Sequence, residues 1–314
     1  MPCKNCLEKP VIQLTNNNIK LCKQHFIRYF ERKVLNTIHN YKLIDKNDKV
    51  GVAVSGGKDS LTVLNILTML RNKTRKFSIE AIAIDEGIKG YRDKTLQDAK
   101  KFCKDNKIKL SIFSYKEEFG STLDNFLKKS KFKACSVCGP FRRYLLNKKS
   151  KELGFTKLAT GHNLDDEAQT IMMNYFRRNI ETSARLGPIT GVVRDKRFIR
   201  RIKPLYFMTQ KEVATYAFLK GLTSEFIECP HSTDSYRGDV MEMLNDFEAK
   251  YPGTKHSIIT SFIELLPLLK KSYKNYMPIN NCEICGEPCS QKICQTCKIV
   301  EILKNKKENV QANS

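Results

Sequence analysis

The strongest constraint on the fold comes from one run, Val50 to Leu61, reading VGVAVSGGKDSL. Val50 to Val54 is an apolar segment of strand length. The glycines of Ser55-Gly56-Gly57-Lys58-Asp59-Ser60 break it, and Leu61, Val63, Leu64, Ile66, Leu67 and Leu70 then recur at helical spacing. Strand, glycine turn and helix in this order aim backbone N–H groups and the positive end of a helix at a phosphate. The commoner phosphate loop, G-x-x-x-x-G-K-[ST], does not fit: Val52 stands where its first glycine belongs, and Asp59 follows Lys58. The plainer alternative is a tight strand–helix turn that uses glycine for positive φ.

The rest of the central region repeats the alternation. Strands are expected at Ile79 to Asp85, Leu110 to Tyr115 and Lys157 to Thr160, and a helix over Lys94 to Asn106. The second strand is largely apolar on both faces, as a parallel sheet covered by helices requires. The reading is an α/β fold with a doubly wound parallel sheet. In such sheets ligands lie beyond the carboxyl ends of the strands. Three segments leave strands on that edge: Ser55–Ser60, Ile84–Asp85, and Gly161-His162-Asn163-Leu164-Asp165-Asp166-Glu167. Further on, Thr209-x-x-Glu212 opens a helix to Lys220 as a capping box. Ser235 to Lys271 is helical in pattern, broken at Tyr251-Pro252-Gly253.

Twelve cysteines in a chain with no apolar leader read as metal or redox ligands rather than a disulfide framework. Cys3, Cys6, Cys22 and His25 have the paired spacing of a tetrahedral zinc site, and so do Cys282, Cys285, Cys294 and Cys297. Few apolar residues surround the first group, so metal should supply much of that module's folding energy. A helix should follow it, with Phe26, Tyr29, Phe30, Val34, Ile38 and Tyr41 on one face. Cys289 is a spare within the second module, and Cys103 falls in a helical apolar pattern and reads as core. Cys135 and Cys138 follow the basic run Lys128 to Lys133 and precede a helix from about Phe141 to Leu153 that opens with Arg142 and Arg143. A lone CxxC suits a zinc half-site, a redox pair or a cluster ligand alike. The lysines around it are expected to lower the thiol pKa. Cys229 stands alone before Pro230.

The net charge is +23, which points to a polyanionic partner. Two basic runs are candidates for phosphate contacts, Lys128 to Lys133 and Arg194 to Lys203; a solvated face or a charged strand edge is the competing reading of each. No apolar run is long enough for a membrane span, and the chain reads as cytoplasmic. The expected division is a zinc knuckle over 1–27, a linking helix over 28–47, and the catalytic α/β domain over 48–234. A helical segment over 235–277, a second knuckle over 278–303 and a polar, disordered tail over 304–314 complete it.

Six features now stand in order: the three-cysteine, one-histidine knuckle, SGGKDS, CSVCG with two arginines after it, GHNLDDEAQT, the later lone cysteine, and the four-cysteine knuckle. SGGKDS matches the SGGxDS loop of the ATP-pyrophosphatases. The combination resembles the tRNA 2-thiouridine synthetases among them, often called the TtuA/NcsA group, over nearly the whole chain. The resemblance implies ATP, Mg²⁺, two zinc ions and a [4Fe–4S] cluster held by Cys135, Cys138 and Cys229, with one iron lacking a protein ligand. It places Ser55, Gly56, Gly57, Lys58, Asp59 and Ser60 on the ATP phosphates and Ala53 and Ile84 on the nucleoside through backbone groups. Gly161 and Asp166 belong to its second nucleotide motif, with Asp165 as the alternative carboxylate, and Arg142 stands where some members carry Lys.

The implied reaction adenylates a uridine C2 carbonyl of tRNA and replaces the oxygen with sulfur from sulfide or a thiocarboxylated ubiquitin-like protein. Lys58, Asp59 and the three cysteines would carry it. The chain's Asn content leans away from a hyperthermophile, and so toward the wobble uridine over the T-loop uridine. Cytidine 2-thiolation and a non-catalytic zinc-knuckle RNA-binding protein are the other readings. A homodimer is an option that the sequence leaves open.

Overall fold

A computed structural model describes residues 2–128, 130, 132–193, 195–223, 225, 227, 229–231, 236–274 and 279–311, with side chains to 303 in the last helix. Five strands form one parallel sheet: β1 (Lys49–Ala53), β2 (Ser78–Asp85), β3 (Leu110–Ser114), β4 (Lys157–Ala159) and β5 (Arg200–Ile202), in the order β3-β2-β1-β4-β5. The order reverses between β1 and β4, and a crevice opens at the carboxyl ends of those two strands. The three strands expected after β1 are present. The fifth was read only as a basic run, and Arg200 to Ile202 of that run form a charged strand at the sheet edge. Pro188 and Thr190 lie along its outer edge: Lys203 N–H donates to Pro188 O and Thr190 N–H to Arg201 O.

Nine helices are used below: α1 (Lys23–Asn40), α2 (Lys58–Thr74), α3 (Arg92–Asp105), α4 (Ala134–Glu152), α5 (Leu164–Phe176), α6 (Gln210–Lys220), α7 (Tyr236–Lys250), α8 (Thr254–Tyr273) and α9 (Gln295–Gln311). Strand alternation sends Val50, Val52, Val54, Ile79, Ala81 and Ala83 to one face, where they meet α1, α2, α3 and α6. Ile82, Ile84 and Leu158 go to the other, against α4 and α9. A third core joins α5, α7 and α8.

Several expectations need correction. The helix read as a linker is part of the first core: Phe30 of α1 stacks on Tyr216 of α6 with ring centroids 4.2 Å apart. Ile12, Leu14 and Leu21 of the first knuckle join the same core, so that module is held by apolar packing as well as by its ligands. Helix α4 begins at Ala134, not near Phe141, and therefore carries the CxxC. Pro140 lies within it and costs it a backbone bond. Val137 and Phe141, four apart and both fully buried, keep the turn before Pro140 against the core. The stretch expected as a disordered tail continues α9 to Gln311, anchored by buried Ile299 and Leu303. No helix among the described residues is long and apolar enough to cross a membrane.

Candidate active site

The glycine turn after β1 forms one wall of a cavity of 270 Å³ whose lining includes Ala53, Ser55, Asp59, Ser60 and Ile84. Gly56 has φ +84, and a Cβ there would lie 1.7 Å from the Thr95 carbonyl oxygen. Only glycine fits, on both conformational and steric grounds. Gly57 in extended conformation is the N-cap of α2, and Lys58 is its first residue. The first backbone N–H groups of α2 therefore open at the cavity edge. Ser60 braces the turn from inside: its hydroxyl donates to Gly57 O at 3.0 Å and accepts from Ser55 N–H at 3.1 Å. Lys58 Nζ donates to Asp59 Oδ2 at 2.8 Å.

The segment after β4 forms the facing wall. Gly161 lies flat against the turn, with its missing Cβ 2.9 Å from the Asp59 carbonyl carbon and from Ser60 N. Asn163 caps α5 and exchanges reciprocal hydrogen bonds with Asp166, 3.1 Å each way. Its side-chain amide also donates to Asp59 Oδ1 at 3.1 Å, which ties the two motifs together. Asp165 and Asp166 separate here. Asp165 turns away from the cavity, accepting from Lys255 Nζ at 2.5 Å and Gln210 N–H at 2.7 Å. Asp166 lines the cavity. Burial and the neighbouring Asp59 push its carboxyl up to about 6, the mark of a carboxylate short of counter-charge.

Four participants were invisible in the sequence. Glu86 and Arg92 are both buried and form an ion pair at 2.8 Å. Arg92 donates to the carbonyls of Ser55 and Ile84. It thus clamps the ends of β1 and β2; Ile84, expected to meet a nucleoside through backbone groups, lines the cavity but has its carbonyl bonded to Arg92. Glu86 also lies 3.5 Å from Arg142, whose side chain remains half-exposed at the cavity wall. His162 faces the cavity with Nδ1 2.9 Å from Thr160 Oγ1. His162 is exposed at the cavity mouth; desolvation by the cleft walls, then Lys203, Arg201, Arg237 and Arg142, lower its pKa, so it is neutral at pH 7. Tyr115, fully buried, donates to Cys138 O at 2.8 Å and approaches its sulfur at 3.6 Å. A buried ion pair or a hydroxyl aimed at a thiol leaves no spacing pattern; each needs the fold to be seen.

The three thiols expected to act together lie on segments that meet beside this cavity, but their sulfurs are not drawn into one tight ligand group as those of the two outer modules are. Cys135 and Cys138 lie in the first turns of α4. Cys135 Sγ contacts His231 O at 3.7 Å, and His231 Nε2 is 3.3 Å from Asp124 Oδ1, which places the segment of Cys229 over the start of α4. Burial raises the Cys138 thiol above its ordinary value, and Arg142 only partly offsets that. Burial also raises Cys229, and Cys135 adds to the effect. The lowering expected for the CxxC thiols is therefore wrong for Cys138: desolvation outweighs the nearby cations. Cys229 feels Cys135, and Cys138 feels Cys229; three thiols with no fourth cysteine beside them among the described residues are a donor set that suits a cluster with one open iron.

Both outer modules bring their predicted ligands together. His25 Nδ1 is 3.6, 3.5 and 3.2 Å from the sulfurs of Cys3, Cys6 and Cys22. Cys282, Cys285, Cys294 and Cys297 form the second group, with Cys285 and Cys294 sulfurs 3.8 Å apart. Zinc–ligand bonds of about 2.0–2.3 Å give tetrahedral edges of roughly 3.5 Å, so both donor sets fit zinc. Cys289 stays outside its group and donates to Gln291 O, and Cys103 is buried core, both as expected. Of the basic runs, Lys129, Lys131 and Arg194 lie outside the described residues. Arg197 is spent on Asp195 at 2.7 Å.

A PP-loop domain family matches residues 26–235. The tRNA 2-thiolation protein NcsA of Haloferax volcanii is 35% identical, covering 96% of this chain and 98% of its own. The tRNA-5-methyluridine(54) 2-sulfurtransferase of Pyrococcus horikoshii is 39% identical, covering 95% and 93%. Among solved structures, the U34-tRNA thiolase NcsA of Methanococcus maripaludis with its [4Fe–4S] cluster superposes with a TM-score of 0.82, at 32% identity over 96% of each chain. With the pyrophosphate turn, the facing Asp166 motif and the three thiols at one crevice, and with this likeness along its whole length, the chain belongs to the tRNA 2-thiolation proteins of the PP-loop family.

Proposed function

We propose that this chain is an ATP-dependent tRNA 2-thiolase acting on the wobble uridine. One observation carries the reading: helix α4 presents Arg142 to the cavity that the pyrophosphate turn lines, and Cys135 and Cys138 in its first turns. Activation and sulfur delivery thus share one helix.

The uridine O2 attacks the α-phosphorus of ATP, the Pα–O–Pβ bond breaks, and pyrophosphate leaves. A sulfide sulfur then adds to C2 and AMP departs with the former carbonyl oxygen, releasing the proton of hydrosulfide. The N-terminus of α2 and Lys58 receive the negative charge of the leaving pyrophosphate. Asp59 and Asp166 are the carboxylates that would take Mg²⁺. Arg142 offers a planar fork to phosphate oxygens at the cavity wall. Neutral His162 donates or accepts hydrogen bonds there without adding charge.

Cys135, Cys138 and Cys229 would hold the [4Fe–4S] cluster, which when bound supplies an iron open to a sulfur ligand. Tyr115 holds the backbone and sulfur of Cys138 in place. Zinc in the two outer modules is structural in this reading. The sulfur comes from sulfide or a thiocarboxylated ubiquitin-like protein.

The Pyrococcus relative, named for position 54, supports T-loop thiolation as a second reading. The test is anaerobic incubation of the iron-loaded protein with ATP, sulfide and tRNA, followed by mass spectrometry of nuclease fragments. Mass gain at the wobble uridine with AMP formed in step is the expected result. Gain in the T-loop alone would move the target, and AMP formation without any 2-thionucleoside would overturn the proposal.

A further inference from the structure

Arg143 of α4 and Arg201 of β5 sit next to the cavity but are not among the residues that line it; Arg142 is. Nη2 of Arg201 donates to the Arg143 carbonyl at 3.4 Å, which brings the edge strand and the thiol helix together. Among the described residues neither guanidinium has an acidic partner, whereas neighbouring Arg92, Arg142 and Arg197 each have one. Strand alternation sends Arg200 to the opposite face, where Lys270 feels its charge. The register of β5 therefore turns Arg201 to the face of the sheet that carries Arg143 and Arg142, whose charges act on it. Arg201 is partly exposed, and desolvation together with the charges of Arg143 and Arg142 lowers its pKa. Gly139 leaves room for the arrangement: a Cβ there would lie 3.2 Å from Nη1 of Arg143 and 3.7 Å from Nη2.

Packing like charges together without a counter-ion is unfavourable, and an anion relieves it. We propose that Arg143 and Arg201 form a phosphodiester receptor outside the nucleotide cavity, taking an RNA backbone phosphate beside the base to be modified. The inference rests on the tRNA reading above. ATP phosphates belong with the turn and Arg142 inside the cavity, so the pair outside it is left for the polynucleotide. A base inserted into the cavity leaves its flanking phosphates at the rim, where two guanidinium forks match phosphate geometry better than ammonium groups do.

The test uses the iron-loaded protein and an RNA hairpin that carries the target uridine, with binding read by fluorescence anisotropy without ATP. Arg143→Gln/Arg201→Gln should weaken binding about tenfold and reduce the log–log salt slope by about 0.7, the value for one phosphate on a single strand. ATP affinity and iron content should not change, and the melting temperature should not fall. Arg143→Lys/Arg201→Lys should keep the slope and lose affinity by a smaller factor. A methylphosphonate at one linkage flanking the target uridine should cost the wild type the same tenfold and the Gln variant nothing further. Equal losses in both proteins at every linkage would overturn the receptor, as would lower ATP affinity with RNA binding intact. If the wild type neither binds nor thiolates the hairpin, the tRNA reading fails and this inference fails with it.

Discussion

Gly161→Ala is the most diagnostic single change in this site. The added methyl would lie 2.9 Å from both the Asp59 carbonyl carbon and Ser60 N, about 0.5 Å inside the 3.4 Å at which ordinary contact begins. Both atoms are backbone in the first turn of α2, and Ser60 pins that turn to Gly57 and Ser55, so no side chain can rotate to make room. Overpacking of this kind costs about 1–3 kcal/mol, a fall of roughly 2–4 °C in melting temperature for each kcal/mol. The larger effect is on chemistry. The displaced turn carries Lys58 and Asp59, and misplacing such groups by about 1 Å can cost a hundredfold in rate. The assay is pyrophosphate release with ATP and tRNA, run beside a thermal melt. Gly57→Ala is the matched stability control, because φ there is −80 and its Cβ would meet only Ser55 Oγ, at 3.5 Å. It should melt with the wild type. A Gly161→Ala protein with wild-type melting and pyrophosphate release within a few-fold would refute the close-packed turn.

Three further outcomes are expected. Asp166 is raised to about 6 from 3.8, so the folded state holds its proton longer than the unfolded chain and stability falls as pH rises through that interval. Asp166→Asn should therefore melt above the apo wild type at pH 7, with the gap closing near pH 4; a pH-independent gap would remove the raised carboxyl. Glu86→Ala leaves buried Arg92 without its carboxylate and should cost about 3 kcal/mol, read by denaturant unfolding; a change under 1 kcal/mol would mean that Arg92 finds compensation. Cys282→Ser should lower iron retention after anaerobic loading, because α9 packs on the core that carries α4, whereas Cys3→Ser, whose module joins the opposite core, should leave iron content unchanged.

The legible parts of the chain were those where composition and spacing coincide. Val50 to Val54 followed by SGGKDS could be read as strand, turn and helix because the apolar period changes at two glycines. The metal-ligand groups were legible because short loops hold each pair close. Strand β5 was not, since Arg200-Arg201-Ile202 is short and charged, and its pairing to β4 is a long-range fact. The start of α4 was hidden by Pro140, a residue that normally ends a helix. Asp165 and Asp166 are chemically alike in sequence, and only their rotation about α5 separates a structural ion pair from a cavity carboxylate. The thiol pKa was misjudged because nearby lysines are countable in a sequence and burial is not.

The placement of α9 sets an order of assembly. During synthesis the pyrophosphate turn, α4 and Cys229 all leave the ribosome before the last module, and N-terminal parts fold first. Ile299 and Leu303 are then still missing from the core shared with Phe141 and Leu145 of α4, so the wall behind the thiols is open to water. Closing it requires α9 to dock through Ile299 and Leu303. The nucleotide turn can thus mature before the thiol site, which reaches its finished form only once α9 has docked, and this places iron loading after that docking step.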